Sequence, residues 1–288
     1  MAPPKELLEV PPCNGRDVIA RLFGAAAVPS GANPGLVFDR YLRLWQRNRL
    51  AKDRFPSLEA LCKQVETSAE KTGLQRDLSS RHQSHRRAVE LLGGEVRSFA
   101  TTTRLAIGLG APHPLENGLT LDHTLGLPYI PGTAVKGMCR AFAQHYKGFD
   151  DSTLVEWFGT EPEVSPSQAG SLVFWPAHPT RVPRLEVDIV NCHHREYYER
   201  KDVDRGERAP GIDLRWPMDV ERPVPVYFLT VAPGTAFAFA IGPRLGARPA
   251  SNSGAQQVGA AFELLREGLE HIGIGAKTSA GYGYMTPR

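Results

Sequence analysis

The chain has 288 residues, 41% of them apolar, with 34 Lys and Arg against 31 Asp and Glu for a formal net charge of +3. That much apolar material excludes wholesale disorder, and the length suits one large domain or two small ones. No apolar run approaches the ~18 residues that cross a bilayer, so no membrane association is expected.

The opening MAPPKELLEV lacks the basic and apolar regions of a signal peptide. Cys13, Cys62, Cys139 and Cys192 contain no CxxC spacing. A cytoplasmic protein with reduced thiols follows, without a disulfide scaffold or zinc ribbon. Charge is uneven: residues 1–104 carry 17 Lys/Arg and 11 Asp/Glu, the remainder 17 and 20. Arg40, Arg43, Arg47, Arg49, Lys52 and Arg54 make one basic run and residues 81–87 another. Such runs are either solvated helix faces or surfaces for phosphate.

In chain order, Val37, Tyr41, Leu44 and Trp45 predict a helix over 36–50. Ser57 is the expected N-cap of a helix over 58–71, with Leu58, Leu61, Cys62 and Val65 as its stripe. Gly73 breaks it, and a third helix runs over 74–92 to Gly93-Gly94. Residues 97–109, rich in Thr, Phe, Ile and Leu, read as a strand. A Gly/Pro-rich loop follows at 108–118. Pro128 and Pro131 keep the next stretch out of a helix. Thr133 can cap a helix carrying Val135, Met138, Cys139, Phe142 and Tyr146. Strand-like runs occupy 170–176, 185–190, 224–231 and 235–241. The charged, Pro/Gly-punctuated residues 195–222 read as an insertion or mobile loop. A last helix over 256–271 carries Val258, Ala261, Phe262, Leu265 and Leu269. The order predicts an α+β, ferredoxin-like fold, one sheet with helices on one face. Residues 1–96 form a helical N-terminal extension, basic and suited to partner docking, and 97–288 the main domain, with an insertion in its second half.

Two loops place glycines around a lysine. The first is Pro131-Gly132-Thr133-Ala134-Val135-Lys136-Gly137, opening a helix. The second spans 273–283, with Gly273, Gly275, Ala276, Lys277, Thr278, Ser279, Gly281, Tyr282 and Gly283. Glycines let backbone N–H groups approach a ligand, a helix N-terminus adds free donors, and the lysines add charge. These are parts for holding phosphates. A Walker A loop is excluded, because Ala276 stands where Gly-Lys-Thr is required and too little chain follows. The dinucleotide fingerprint lacks its third glycine.

Read together, the second loop and the PGxxxKGxxR segment at 131–140 resemble the RAMP superfamily of CRISPR effector proteins. Further stretches at 103–110, 117–131, 185–198 and 223–235 resemble, within it, the sixth-subunit family of the Cmr (type III-B) complexes. The resemblance covers residues 97–288. It implies a ferredoxin-like, RRM-related core that binds guide RNA without catalysis and caps a filament at the 3′ end of the crRNA. Implied partners are the crRNA 3′ region, complementary target RNA, the repeated Cmr backbone RAMP subunit and a small helical Cmr subunit. No cofactor or metal is expected. The implied RNA contacts are Gly132, Thr133, Lys136, Arg140, His193, His194 and the second loop from Gly273 to Gly283. A thumb hairpin that wedges into the guide–target duplex would be 195–222 or 110–120. Such a subunit holds phosphates and 2′-hydroxyls and leaves base edges free. Tyr282 and Tyr284 are placed to stack on a splayed base, or, for Tyr284, to pack along the last strand.

The rival reading is a metal-independent endoribonuclease. Metal-free RNA cleavage needs a general base and acid, and His123, His193 and His194, with Asp122 and Asp188, are the candidates. Adjacent histidines on a strand point apart, so they need the fold to unite them with others.

Overall fold

A computed structural model describes residues 33–41, 45–46, 49–50, 55–71, 73–113, 115–161, 163, 166–192, 224–246 and 254–288. His193, His194, the 195–222 insertion and the side chains of the basic run at 40–54 lie outside the described residues.

The expected helix over 36–50 is corrected. A short helical turn, Pro34–Leu36, continues as a π-turn over Val37–Tyr41, and Trp45–Gln46 then pairs antiparallel with Arg49–Leu50. Helical spacing of a few apolar residues does not hold against a tryptophan pair position that suits a strand equally well. Helix α1, Phe55–Lys71, buries Leu58, Leu61, Cys62 and Val65. It begins before Ser57, which therefore sits in its first turn and not at its N-cap. Helix α2, Leu74–Leu91, buries Leu78 and Val89 and starts behind Gly73.

Strand β1, Glu95–Thr101, is shorter than the run at 97–109. Helix α3 is Gly132–Tyr146, with Val135, Met138, Cys139 and Phe142 buried. Helix α4, Asp151–Phe158, has no counterpart among the expected elements. Its signal is Asp150, whose carboxylate accepts the Thr153 N–H at 3.0 Å, a side-chain N-cap. Strands β2 (Leu172–Phe174), β3 (His178–Pro179), β4 (Leu185–Cys192), β5 (Val224–Val231) and β6 (Ala236–Pro243) precede helix α5, Gly254–His271. Strand β7 is Met285–Pro287.

The central sheet is antiparallel in the order β2–β6–β1–β7, with β3 also on β6. Strands β4 and β5 form a separate ribbon in which Asp188 lies opposite Phe228. The ribbon is bridged to the segment that follows β1, Leu105 opposite Val231.

Strand β6 is buried on both faces. Phe237, Phe239 and Ile241 point one way and Ala236, Ala238 and Ala240 the other. The large face meets α5: Arg97, opposite Phe239, lays its guanidinium 4.6 Å over the Phe262 ring and reaches Glu263 at 3.1 Å. The alanine face meets α2: His178, opposite Ala238, faces Arg81 of α2 at 3.5 Å. Alanines let that helix close down on the sheet. The expectation of helices on one face is thus corrected, since α2 of the N-terminal part covers the second face. Helices α3 and α5 cross where Gly268 leaves room for the side chains of Met138 and Phe142. Cys62 and Cys139 are buried thiols, and burial pushes Cys62 up to about 12. Among the described residues no helix is long and apolar enough to cross a membrane.

Candidate nucleic-acid interface

The second glycine loop leaves α5 through the Gly273 N–H, which donates to the Gly268 carbonyl. It then lies along the irregular segment that follows β1. The Ala276 N–H donates to the Ala106 carbonyl at 2.7 Å and the Gly283 N–H to the Arg104 carbonyl at 2.8 Å. Ile274 donates to the Gly283 carbonyl at 2.9 Å, closing the loop on itself. Gly283 has φ 80°, and a Cβ there would run into the carbonyl of Ile274. Only glycine fits that crossing.

At the apex, Thr278–Ala280 form a 3₁₀ turn. The N–H groups of Lys277, Thr278 and Ser279 have no acceptor among the described residues. Lys277 adopts a left-handed φ of 59°, a conformation that costs a side-chain-bearing residue about 1–2 kcal/mol. Its ammonium lies 5.6 Å from the centroid of Phe228. The apex thus presents free backbone donors beside a lysine.

Behind the apex stands a polar network. The Tyr282 hydroxyl donates to Asp188 Oδ2 at 2.7 Å, and Arg104 Nη1 donates to the same oxygen at 3.1 Å. Arg104 Nε donates to Glu186 Oε2 at 2.8 Å, and Arg184 also pairs with Glu186. Burial, then the bond to Asp188, pushes the Tyr282 phenol up to about 12. Tyr282 is therefore engaged with the β4–β5 ribbon and Phe228, 6.1 Å away. Tyr284 stays with the loop, its hydroxyl 3.4 Å from the Thr278 carbonyl. Arg104 and Glu186 also line an open cleft of about 320 Å³ against α1. Sequence reasoning missed Arg104 and Phe228. They stand in unremarkable strand-like text, and only the fold brings them to a loop that begins 169 and 45 residues further along the chain.

The first loop is built differently. Gly132 opens α3, with Pro131 at the N-cap and no side-chain cap, so Thr133 is an exposed first-turn residue and not the cap. Gly132 faces the Phe174 carbonyl of β2 so closely that a Cβ would overlap it. Lys136 is half-buried. Its ammonium is held below the usual lysine range by burial first, and then by Arg140 and Arg244. Arg140 donates to the Gly159 carbonyl at 2.6 Å and pairs with Glu161 at 3.3 Å, so it fastens the turn after α4. The two loops lie at opposite edges of the central sheet. One rests on edge strand β2 and the other runs into edge strand β7.

The acid–base candidates are not gathered among the described residues. Asp122 bonds to Arg81 at 2.9 Å and caps its own turn through the N–H groups of Thr124 and Leu125. Burial alone would raise this carboxyl, but those bonds together hold it well below the usual carboxylate range. His123 is exposed, and its carbonyl accepts from Asn33 at 3.2 Å. Asp188 belongs to the network under the glycine loop. No group of three His, Cys, Asp or Glu residues among the described ones is placed to hold a metal.

A family model, the RAMP superfamily, matches residues 98–286. The chain belongs to this superfamily. Its RAMP region takes in both glycine loops, most of the central sheet and the β4–β5 ribbon. Among curated relatives it is similar to CRISPR system Cmr subunit Cmr6 of Pyrococcus furiosus, 28% identical over 65% of this chain and 66% of that protein. It is also similar to CRISPR system CMR subunit Cmr6 of Saccharolobus solfataricus, 27% identical over 50% of this chain and 44% of that one. The match therefore spans about two thirds of the first relative and under half of the second. A chain in a cryo-EM structure of the type III-B Cmr-beta complex bound to cognate target RNA shares its fold. The TM-score is 0.55 at 22% identity, over 88% of this chain and 79% of that one.

Proposed function

We propose that this RAMP protein is a non-catalytic, guide-RNA-binding subunit of a type III-B CRISPR (Cmr) effector complex. It caps the filament at the 3′ end of the crRNA and supports target RNA binding. The observation that carries the reading is the apex of the second glycine loop. There, three backbone N–H groups without acceptors among the described residues stand beside Lys277, which holds a left-handed backbone that glycine would hold at less cost. A strained non-glycine residue at a turn is a mark of function. Backbone donors and a lysine bind phosphates without reading bases, as a guide held for pairing requires. The similarity to two Cmr6 subunits supports the assembly.

In this reading the core is ferredoxin-like. The order β1–α3–β2–β6–α5–β7, with the ribbon inserted between β2 and β6, is the β-α-β-β-α-β pattern of that fold. Residues 97–288 are the RNA-binding domain and 1–96 the partner-docking extension, in a cytoplasmic complex with the repeated backbone RAMP subunit and the small helical subunit. Lys136 at the opposite sheet edge contacts a different part of the RNA path from Lys277. Purification of the tagged chain from its native host, with sequencing of retained RNA, tests the proposal. Repeat–spacer transcripts with sister Cmr subunits are expected. Retention of neither would overturn it.

A further inference from the structure

We propose that Asp188 is a positioning residue that holds the second glycine loop in its RNA-binding shape, acting through Tyr282 and Arg104. The inference rests on the reading of that loop as an RNA contact.

The loop has four glycines between 273 and 283, and beyond the buried Ile274 at its start its shape is set by contacts from other elements. Two imposed points are backbone bonds, to Ala106 and Arg104. The third is Asp188. Its Oδ2 accepts from the Tyr282 hydroxyl and from Arg104 Nη1, the same residue whose carbonyl takes the Gly283 N–H. Its Oδ1 accepts the Ile189 N–H at 2.8 Å. The carboxylate is therefore bonded at both oxygens, which its 14% exposure demands.

The ribbon register makes the arrangement economical. Asp188 and Phe228 are one cross-strand pair. Asp188 bonds the Tyr282 hydroxyl, and Phe228 lies against both the Tyr282 ring and the Lys277 ammonium. One position of the β4–β5 ribbon therefore meets both Tyr282 and Lys277.

Simple electrostatics predicts the opposite mutational sign. An acid near a polyanion repels it, so removing the charge should tighten binding. If Asp188 positions the loop, removing it weakens binding. The test uses the complex purified through this chain and a guide-length single-stranded RNA in a filter-binding titration. Wild type, Lys277→Ala, Asp188→Ala, Asp188→Asn and Tyr282→Phe are compared. Asp188→Ala is expected to weaken RNA binding roughly tenfold, since it leaves the Tyr282 hydroxyl and Arg104 Nη1 without their shared acceptor. Asp188→Asn, which keeps an acceptor, should recover part of it. In Asp188→Ala the Tyr282 phenol should titrate below its value of about 12. Should Asp188→Ala fail to assemble, Tyr282→Phe removes a single hydroxyl and is expected to weaken binding several-fold. Unchanged or tighter binding in the Asp188 and Tyr282 variants, with Lys277→Ala weakened, overturns the positioning role alone. No RNA binding by wild type overturns the functional reading and the positioning role with it.

Discussion

Residues 131–137 and 273–283 look alike as text, each a lysine among glycines with hydroxyl residues nearby, yet the fold gives them different work. In the first, Gly132 is a packing device that lets the start of α3 rest on the β2 backbone, and Gly137 faces open space. Arg140 fastens a neighbouring turn. In the second, the glycines permit a backbone that turns back on itself, the side chains behind it are hydrogen-bonded to a ribbon, and the N–H groups of Lys277, Thr278 and Ser279 have no acceptor among the described residues. Glycine beside lysine is therefore a weak signal on its own. Each loop leaves N–H groups without acceptors among the described residues, Gly132 and Thr133 in the first and Lys277, Thr278 and Ser279 in the second, but only the second sets them on a left-handed turn braced by a ribbon.

The largest effect that would break or sharpen this contrast comes from the glycines. Gly283→Ala should cost more than about 3 kcal/mol, because a Cβ meets the Ile274 carbonyl at a positive φ. Gly137→Ala, in an open helical position, should stabilise by about 0.5–1 kcal/mol. Thermal melting of both variants checks the difference.

Next in size are the lysines. Lys277→Gly should weaken RNA binding roughly tenfold while keeping stability within about 1 kcal/mol of wild type, since glycine relieves the left-handed strain. Lys136→Ala should weaken RNA binding only a few-fold and lower the salt slope by about one. Titrations at two salt concentrations separate them. Equal losses at the two lysines would argue against the distinction.

The smallest effect is a pH dependence away from both loops. Burial, then Arg81, pushes His178 down to about 4, against about 6.5 in the unfolded chain. Between these values the unfolded chain binds the extra proton, so stability rises with pH across that window. It is lost as pH falls from about 6.5 to 4. The loss should be on the order of 1–2 kcal/mol after allowance for partial exposure. His178→Gln should flatten the stability profile between pH 4 and 6.5, whereas an unchanged slope would contradict the assignment.

Much of the helical structure was legible in the sequence, because α1, α3 and α5 each carry an apolar stripe that a buried face requires, and α2, which buries only Leu78 and Val89, is bounded by Gly73 and Gly93-Gly94. The pairing of Trp45–Gln46 with Arg49–Leu50 was not, since aromatic residues serve strand and helix alike. Helix α4 escaped notice because its eight residues show too few turns for a stripe, although Asp150 marks its start. The glycine loop was legible as a candidate, but its support was not. Asp188 reads as a possible catalytic acid until the fold sets Arg104 and Tyr282 on it, 84 and 94 residues distant. Tyr282, read as a stacking residue, also bonds through its hydroxyl to Asp188. Nothing local in the sequence encodes such a pairing.

The central claim is that the apex of the second glycine loop touches guide RNA. Ultraviolet cross-linking of the complex purified through this chain, with mass-spectrometric mapping of the linked peptides, tests it most directly. Cross-links at residues 275–279, lost in Lys277→Gly, are predicted. Cross-links confined to other segments, with residues 275–279 unmodified, would contradict it.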